Sequence, residues 1–153
     1  MADREILPSS PRPAFLRPGA LALVAAGGAV GTTVRYLLEV ACTPGAGQVP
    51  WVTFVINVTG AFLLGALLTT LARTGEDAGW RRSVRLGVGT GMLGGYTTYS
   101  TFAVEVHSLL GAGRTWVGTG YAAGTVLAGV AAAAIGLLLA RWLVRARGGE
   151  AAP

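Results

Sequence analysis

Two pairs of polar side chains interrupt apolar stretches of this sequence at helical spacing. Thr53 and Asn57 are four residues apart, and so are Tyr121 and Thr125, so each pair would share one face of a helix. Their amide and three hydroxyls can all donate hydrogen bonds, which suits a small, strongly hydrated anion. The alternative is structural, because asparagine in a membrane often hydrogen-bonds a neighbouring helix.

A third polar stretch, residues 94–102, reads GGYTTYSTF and lies in the middle of another apolar run. Adjacent glycines and repeated hydroxyls are poor material for a continuous helix facing lipid, and non-helical backbone at that depth survives only inside protein or beside water. Broken helices expose carbonyls and helix ends that can hold ions. The stretch therefore predicts a broken helix and ion transport. A glycine hinge, with hydroxyls bonded back to the preceding turn, is the alternative.

Four apolar runs carry these residues, at about 19–41, 51–72, 86–110 and 115–140. The chain is 52% hydrophobic and 12% charged, whereas soluble domains carry about 25% charged residues. Each run exceeds the roughly 20 residues that a helix needs to cross a bilayer, and a single span in lipid must be helical. We therefore expect an all-α integral membrane protein with four transmembrane helices, the third of them broken.

The tryptophans support these boundaries, because all four lie at or beside the ends of runs, where tryptophan prefers the membrane interface. They are Trp51, Trp80, Trp116 and Trp142. Residues 1–18 are rich in proline and charge and predict a disordered tail, residues 19–142 the transmembrane domain, and residues 143–153 a second tail. Small residues four apart predict close helix contacts. These pairs are Gly27 with Gly31, Gly87 with Gly91, Gly91 with Gly95, and Gly120 with Gly124.

Other chemistry has little support in the sequence. One histidine, His107, and one cysteine, Cys42, cannot build a transition-metal site, and no nucleophile–base constellation or phosphate-binding loop is present, so we do not expect an enzyme. An isoelectric point near 10.4 could indicate nucleic acid. The arginines, however, cluster between apolar runs, which favours contact with lipid headgroups and control of topology.

Three segments resemble the fluoride-channel (fluoride exporter) family of the CrcB/Fluc type. Residues 27–31 read GGAVG and are followed by Arg35 and Tyr36. Residues 53–60 read TFVINVTG, similar to an N-x-x-G stretch of the family. Residues 94–105 are similar to the family's G-G-x-T-T-F-S-T-F-x-x-E, the most specific of the three. The resemblance covers about residues 20–140.

This resemblance implies an antiparallel dimer of four-helix subunits with two narrow pores, each lined by both subunits, that lets fluoride leave the cell passively. Hydrogen fluoride enters uncharged, ionises in the cytoplasm, and the membrane potential drives the anion out. Tyr99 stands where the family usually has phenylalanine. The residues that match the ion pathway are Asn57, Tyr99, Phe102, Thr53, Tyr121 and Thr125.

Further family positions concern charge. The resemblance implies a structural Na⁺ at the dimer interface, held by the backbone carbonyls of Gly94 and Thr97, and oxygen ligands suit such a hard cation. Arg35 and Glu105 also match family positions. Arg35 is expected to draw anions into a vestibule, or alternatively to anchor at lipid headgroups. Aromatic rings are electropositive at their edges, so Tyr99 and Phe102 can face an anion.

Two other functions stay open at this point. A small multidrug-type exporter is also a four-helix dimer, but it needs a carboxylate within its first span, and Glu39 lies near the end of that run. A non-conducting partner subunit is the second alternative. Proton-coupled carriers usually need a buried ionisable relay, whereas Glu39 and Glu105 both lie toward the ends of their runs.

Arginine placement predicts orientation. Four spans put both termini and the 73–85 loop on one side of the membrane, and that side holds ten arginines, whereas the other has Arg35 and Arg114. An arginine excess marks the cytoplasmic side, so both termini should be cytoplasmic in a bacterial plasma membrane. An antiparallel homodimer calls for balanced charge. We therefore expect a paralogous subunit of opposite orientation as the partner, with the homodimer as the competing prediction.

Overall fold

The computed structural model describes residues 17–42, 45 and 48–149. The predicted tail of residues 1–18 lies outside this part of the chain apart from Arg17 and Pro18. Every regular element in the described part is a helix. In chain order the α-helices are α1 (Pro18–Ala41), α2 (Trp51–Thr74), α3 (Gly79–Val84), α4 (Gly94–Tyr96), α5 (Ser100–Gly111) and α6 (Thr115–Gly149).

Three of these helices are long and apolar enough to cross a membrane, namely α1, α2 and the Thr115–Arg147 part of α6. They correspond to the first, second and fourth apolar runs. Helix α6 continues past the predicted end of its run at residue 140, because arginine is a good helix former and the helix carries Arg141, Arg145 and Arg147 on its exposed surface. Together the helices make this an integral membrane protein.

The third apolar run folds into several pieces. Helix α3 leads into a nine-residue π-helix, Arg85–Leu93, which continues into α4. Residues 97–99 then lie outside any helix before α5 begins. Gly94 and Gly95 are themselves helical, so the interruption begins later than the glycines suggest. The π-helix has no counterpart in the sequence prediction. Such wide turns are rare and commonly accompany functional sites.

Glycine contacts join α1 to the π-helix. A Cβ atom on Gly27 would overlap the carbonyl oxygen of Gly87, and one on Gly31 would overlap the carbonyl oxygen of Met92. Helices α2 and α6 meet in the same way, where Gly65 lies against the Ala133 carbonyl. The small-residue pairs of α1 and the π-helix therefore form contacts, as predicted. Gly120 and Gly124 meet no neighbour within 4 Å.

The remaining contacts place the third run among the other helices. Helix α1 packs on the π-helix and α4, whereas α2 packs on α6 and α5 also packs on α6. Large apolar side chains remain exposed on the outside, as a lipid-facing surface requires, including Leu37 at 59% and Leu127 at 70%. Of the three non-helical residues, Thr98 is buried between these helices, whereas Tyr99 is exposed.

Hydrogen bonds from arginine side chains stabilise the loop after α2. Arg85 makes two hydrogen bonds of 2.8 and 2.9 Å to the carboxylate of Asp77, and this contact lowers the pKa of Asp77 below its usual value. Arg81 donates to the Thr74 carbonyl at 2.7 Å and so caps the end of α2. Gly75, with φ 145°, leaves room for the Arg81 guanidinium.

The glycine contacts predict that replacing a glycine by alanine lowers the free energy of unfolding only where the new methyl group would meet a neighbour. Gly31→Ala should lower the free energy of unfolding by about 1–3 kcal/mol, because its methyl group has no space. The matched control is Gly19→Ala in the first turn of the same helix, where nothing lies within 4 Å. That change should be neutral or stabilising by up to about 1 kcal/mol. Unfolding in detergent measures both, and equal effects of the two changes would contradict the packing described.

Candidate functional site

Asn57 of α2 holds the non-helical segment by its backbone. Its Nδ2 donates to the Thr98 carbonyl at 2.9 Å, and its Oδ1 accepts from the Thr98 amide at 2.8 Å. Both polar backbone groups of Thr98 are therefore paired with one side chain, 41 positions earlier in the sequence. An unpaired backbone group away from water costs about 1–3 kcal/mol. These two bonds agree with the structural interpretation, in which the Asn57 side chain hydrogen-bonds a neighbouring segment. The second N–H hydrogen of the amide remains available to another acceptor.

Thr98 lies two residues before α5. Its hydroxyl oxygen accepts a hydrogen bond from the Thr101 amide, in the first turn of that helix, at 3.1 Å. The same hydroxyl lies 3.1 Å from the hydroxyl of Thr101, and Thr98 is 8% exposed. Thr98 therefore makes two hydrogen bonds with Asn57 of α2 and also provides an acceptor to the first turn of α5.

Two backbone carbonyls lose their usual helical donors at this point. The Thr98 amide, which in a continuous helix would donate to Gly94, bonds Asn57 instead. The Thr101 amide, which would donate to Thr97, bonds the Thr98 hydroxyl. The carbonyl oxygens of Gly94 and Thr97 therefore lack these helical hydrogen bonds and are suitable ligands for a hard cation. Within the described residues no cluster of three or more His, Cys, Asp or Glu side chains could hold a metal.

An open groove brings several of the predicted pathway residues together. Its volume is about 370 Å³. Tyr99 is 80% exposed there, and its ring centroid lies 6.1 Å from that of Phe102 at an interplanar angle of 48°. The groove therefore presents two tilted rings beside an amide. Its lining includes Asn57, Thr97, Thr98, Tyr99, Phe102, Thr125 and Val126.

The other predicted residues meet around a carboxylate. The hydroxyl of Thr53 donates to Glu105 Oε1 at 2.6 Å, and the hydroxyl of Tyr121 donates to Glu105 Oε2 at 2.8 Å. Thr53 is fully buried and Tyr121 is 7% exposed. Side chains from α2, α5 and α6 thus converge on Glu105, which also lines a cavity of about 190 Å³ together with Gln48, Pro50 and Ser108. Glu105 was predicted as a family-matched residue near the end of its run, but its grouping with Thr53 and Tyr121 was not predicted.

The two groups of residues are adjacent. The ring of Phe102 lies in the groove and also contacts the ring of Tyr121, with centroids 5.5 Å apart and an angle of 47°. Thr125 also lines the groove. Its hydroxyl donates to the Tyr121 carbonyl at 2.7 Å. The predicted hydroxyl donors, Thr53, Tyr121 and Thr125, therefore all have acceptors within the protein. An anion that recruits any of them must replace that acceptor.

Arg35, predicted as a vestibule charge or a headgroup anchor, points to the third run. Its Nε donates to the Gly95 carbonyl at 3.2 Å, and its Nη1 lies 3.2 Å from Glu39. The side chains of Arg35 and Glu39 are 21% and 22% exposed. Their i,i+4 spacing is visible in the sequence, but the contact with Gly95, 60 positions away, is not.

The sequence of this chain is similar to a known family and to several named proteins. The family model described as "CrcB-like protein, Camphor Resistance (CrcB)" matches residues 22–137. A "Fluoride-specific ion channel FluC 2" from Leifsonia xyli subsp. xyli is 49% identical over 127 residues, covering 83% of this chain and 87% of that protein. The protein of the same name from Nocardia farcinica is 40% identical, covering 83% and 89%. A "Fluoride-specific ion channel FluC" from Novosphingobium aromaticivorans is 42% identical, covering 80% and 96%.

Proposed function

Because this chain belongs to the CrcB-like protein, Camphor Resistance (CrcB) family, we propose that it is a fluoride-selective ion channel that exports cytoplasmic fluoride passively and so lowers its toxicity. The observation that carries this proposal is the groove in which the Asn57 amide and the rings of Tyr99 and Phe102 lie together. Relatives at 40–49% identity bear the name fluoride-specific ion channel. The proposed activity is transport, without a chemical reaction.

The chemistry of the groove suits a small anion. The positive edges of two aromatic rings and an amide N–H can replace part of an anion's hydration shell, and a close fit then favours the smallest halide, as in other filters that strip water from an ion. The hydroxyls of Thr53 and Tyr121, now bonded to Glu105, extend the polar path toward the cavity at Ser108. An anion that uses these two hydroxyls must take the place of the Glu105 carboxylate as their acceptor.

The multidrug-type alternative is disfavoured by the position of Glu39. That exporter would need a carboxylate available within the first span, whereas Glu39 lies in the last turns of α1 and pairs with Arg35. A non-conducting subunit would have no use for a groove lined by pathway residues. Both alternatives are separated from the channel by one flux measurement.

That measurement is fluoride and chloride release from liposomes containing the purified protein. Fluoride should leave far faster than chloride. Phe102→Leu removes a ring edge and should reduce fluoride release about tenfold or more, whereas the matched change Tyr99→Phe keeps the edge and should retain fluoride selectivity. Asn57→Asp should suppress release, because it places a negative charge beside the anion and removes the donor to Thr98. Equal release of fluoride and chloride by the native protein would refute the channel.

The groove and the small-residue surface favour a dimer. The groove is open along one side, and Tyr99 within it is 80% exposed, so one chain supplies only part of a pore wall. A Cβ atom added to Gly120 or Gly124 of α6 would meet none of the described residues within 4 Å, so small residues there leave a surface that another helix can approach closely. We propose an antiparallel dimer with two pores, each lined by both subunits.

Within this dimer we propose a structural Na⁺ held by the carbonyls of Gly94 and Thr97 at the subunit interface. The ion would supply positive charge to carbonyl oxygens that have lost their helical donors. Gly94→Leu should abolish fluoride release, although a Cβ there meets nothing within its own chain, whereas Thr97→Ala keeps the backbone ligand and should be mild. Replacing Na⁺ by a large organic cation should lower the unfolding temperature of the native protein. Full fluoride release by Gly94→Leu would count against the ion.

Orientation follows from the arginines. Arg81, Arg82 and Arg85 lie in or beside the loop after α2, on the side to which the predicted termini belong. Arginine excess favours the cytoplasm, so we propose that both termini are cytoplasmic in a bacterial plasma membrane. Ten arginines against two disfavour insertion in both directions, and we propose a paralogous partner of opposite orientation. Numbered relatives, such as "Fluoride-specific ion channel FluC 1" of Cutibacterium acnes, are consistent with organisms that encode more than one such protein.

Cysteine labelling from outside intact cells tests this orientation. The native Cys42, exposed after α1, should label and serves as the internal control for the outer side. In a Cys42→Ser background, Ser83→Cys in α3 should be protected in every copy, and permeabilising the cells should expose it. Labelling of about half the Ser83→Cys copies in intact cells would show insertion both ways and would favour the homodimer.

A further inference from the structure

The guanidinium of Arg35 is fixed from two directions. Its Nε donates to the Gly95 carbonyl at 3.2 Å, and its Nη1 lies 3.2 Å from both carboxylate oxygens of Glu39. A planar guanidinium can make these two contacts along different directions, which the point charge of lysine cannot reproduce. The side chain of Arg35 is only 21% exposed. Arg35 is therefore held against the third run and is not directed freely toward headgroups or solvent.

The acceptor of this contact needs an external donor. In a continuous helix the Gly95 carbonyl would accept from the amide of Tyr99, but Tyr99 lies in the non-helical segment. Thr32 contributes a longer contact of 3.4 Å to the same oxygen. Gly95 lacks a side chain that would approach the Gly28 carbonyl at 2.6 Å, so α1 comes close enough for Arg35 to reach. A cation here also opposes the partial negative charge at a helix C-terminus.

We propose that Arg35 is a positioning residue for anion permeation, and this inference rests on the proposed channel function. It holds the last turn before the interruption from the α1 side, while Asn57 holds Thr98 from the α2 side. Two residues, Tyr96 and Thr97, lie between the anchored Gly95 and Thr98. Tyr99 directly follows the second anchor, and Phe102 lies in the first turn of α5. The two anchors thereby fix the direction in which the rings meet an anion. A vestibule charge or a headgroup anchor would act through charge alone.

The test compares the ratio of fluoride to chloride release from liposomes, because this ratio does not depend on how many channels insert. The variants are Arg35→Gln, Arg35→Lys and, as the matched control, Arg114→Gln. Arg114 is the other arginine on the same predicted side, and the described residues show no side-chain hydrogen bond or ion pair for it. Arg35→Lys keeps the positive charge, and it carries the test should Arg35→Gln fail to fold.

Both Arg35 variants should lower the release ratio by about tenfold, to the same extent at low and high salt, and Arg114→Gln should leave it unchanged. A native ratio in Arg35→Lys would show that charge alone matters and would overturn the positioning role. So would an Arg35→Gln effect that high salt removes, since screening weakens only long-range attraction. A native protein that does not discriminate fluoride from chloride would instead refute the channel function, independently of these variants.

Discussion

The structure depends on how the backbone of residues 97–99 finds hydrogen-bond partners inside an apolar bundle. Lipid offers none, so an interruption of a membrane helix persists only when protein groups replace the missing helical bonds. Asn57 supplies a partner to the amide and to the carbonyl of Thr98, and the Thr98 hydroxyl accepts from the Thr101 amide in the first turn of α5. Arg35 supplies a donor to Gly95. Three side chains from three different segments thus maintain the interruption.

Satisfying the interruption in this way has consequences for the site. Bonds that go to Asn57 and to the Thr98 hydroxyl leave the Gly94 and Thr97 carbonyls without their helical donors, which makes them available to a cation. Within the same segment Tyr99 is exposed beside Phe102 in the groove. The glycine contacts of α1 with the π-helix bring Arg35 within reach of Gly95. The two carbonyls without helical donors, the aromatic pair and the contact of Arg35 with Gly95 therefore lie in one short segment.

The sequence predicted much of this fold and less of its internal bonding. Hydrophobic runs located α1, α2 and α6 because length and apolar composition are local properties, and the GGYTTYSTF stretch drew attention to the third run. The π-helix was not predicted, and it packs against α1 through contacts between residues far apart in the sequence. The partners of Asn57 and Arg35 were missed because they lie 41 and 60 positions away, and no spacing rule reports such a distance. Glu105 was underrated for the same reason, since its donors come from α2 and α6.

The central claim is that Asn57 supports the backbone of the interruption, and hydrogen exchange tests it most directly. The measurement compares amide exchange of residues 97–102 in native protein, in Asn57→Leu and in the control Thr70→Val, which removes from the same helix a hydroxyl that bonds only the Ala66 carbonyl. Asn57→Leu has similar volume but leaves two backbone groups unpaired, at a cost of about 2–6 kcal/mol. We expect exchange in this segment to accelerate at least about tenfold in Asn57→Leu and to remain near native in Thr70→Val. Native-like protection of the Thr98 amide in Asn57→Leu would contradict the account.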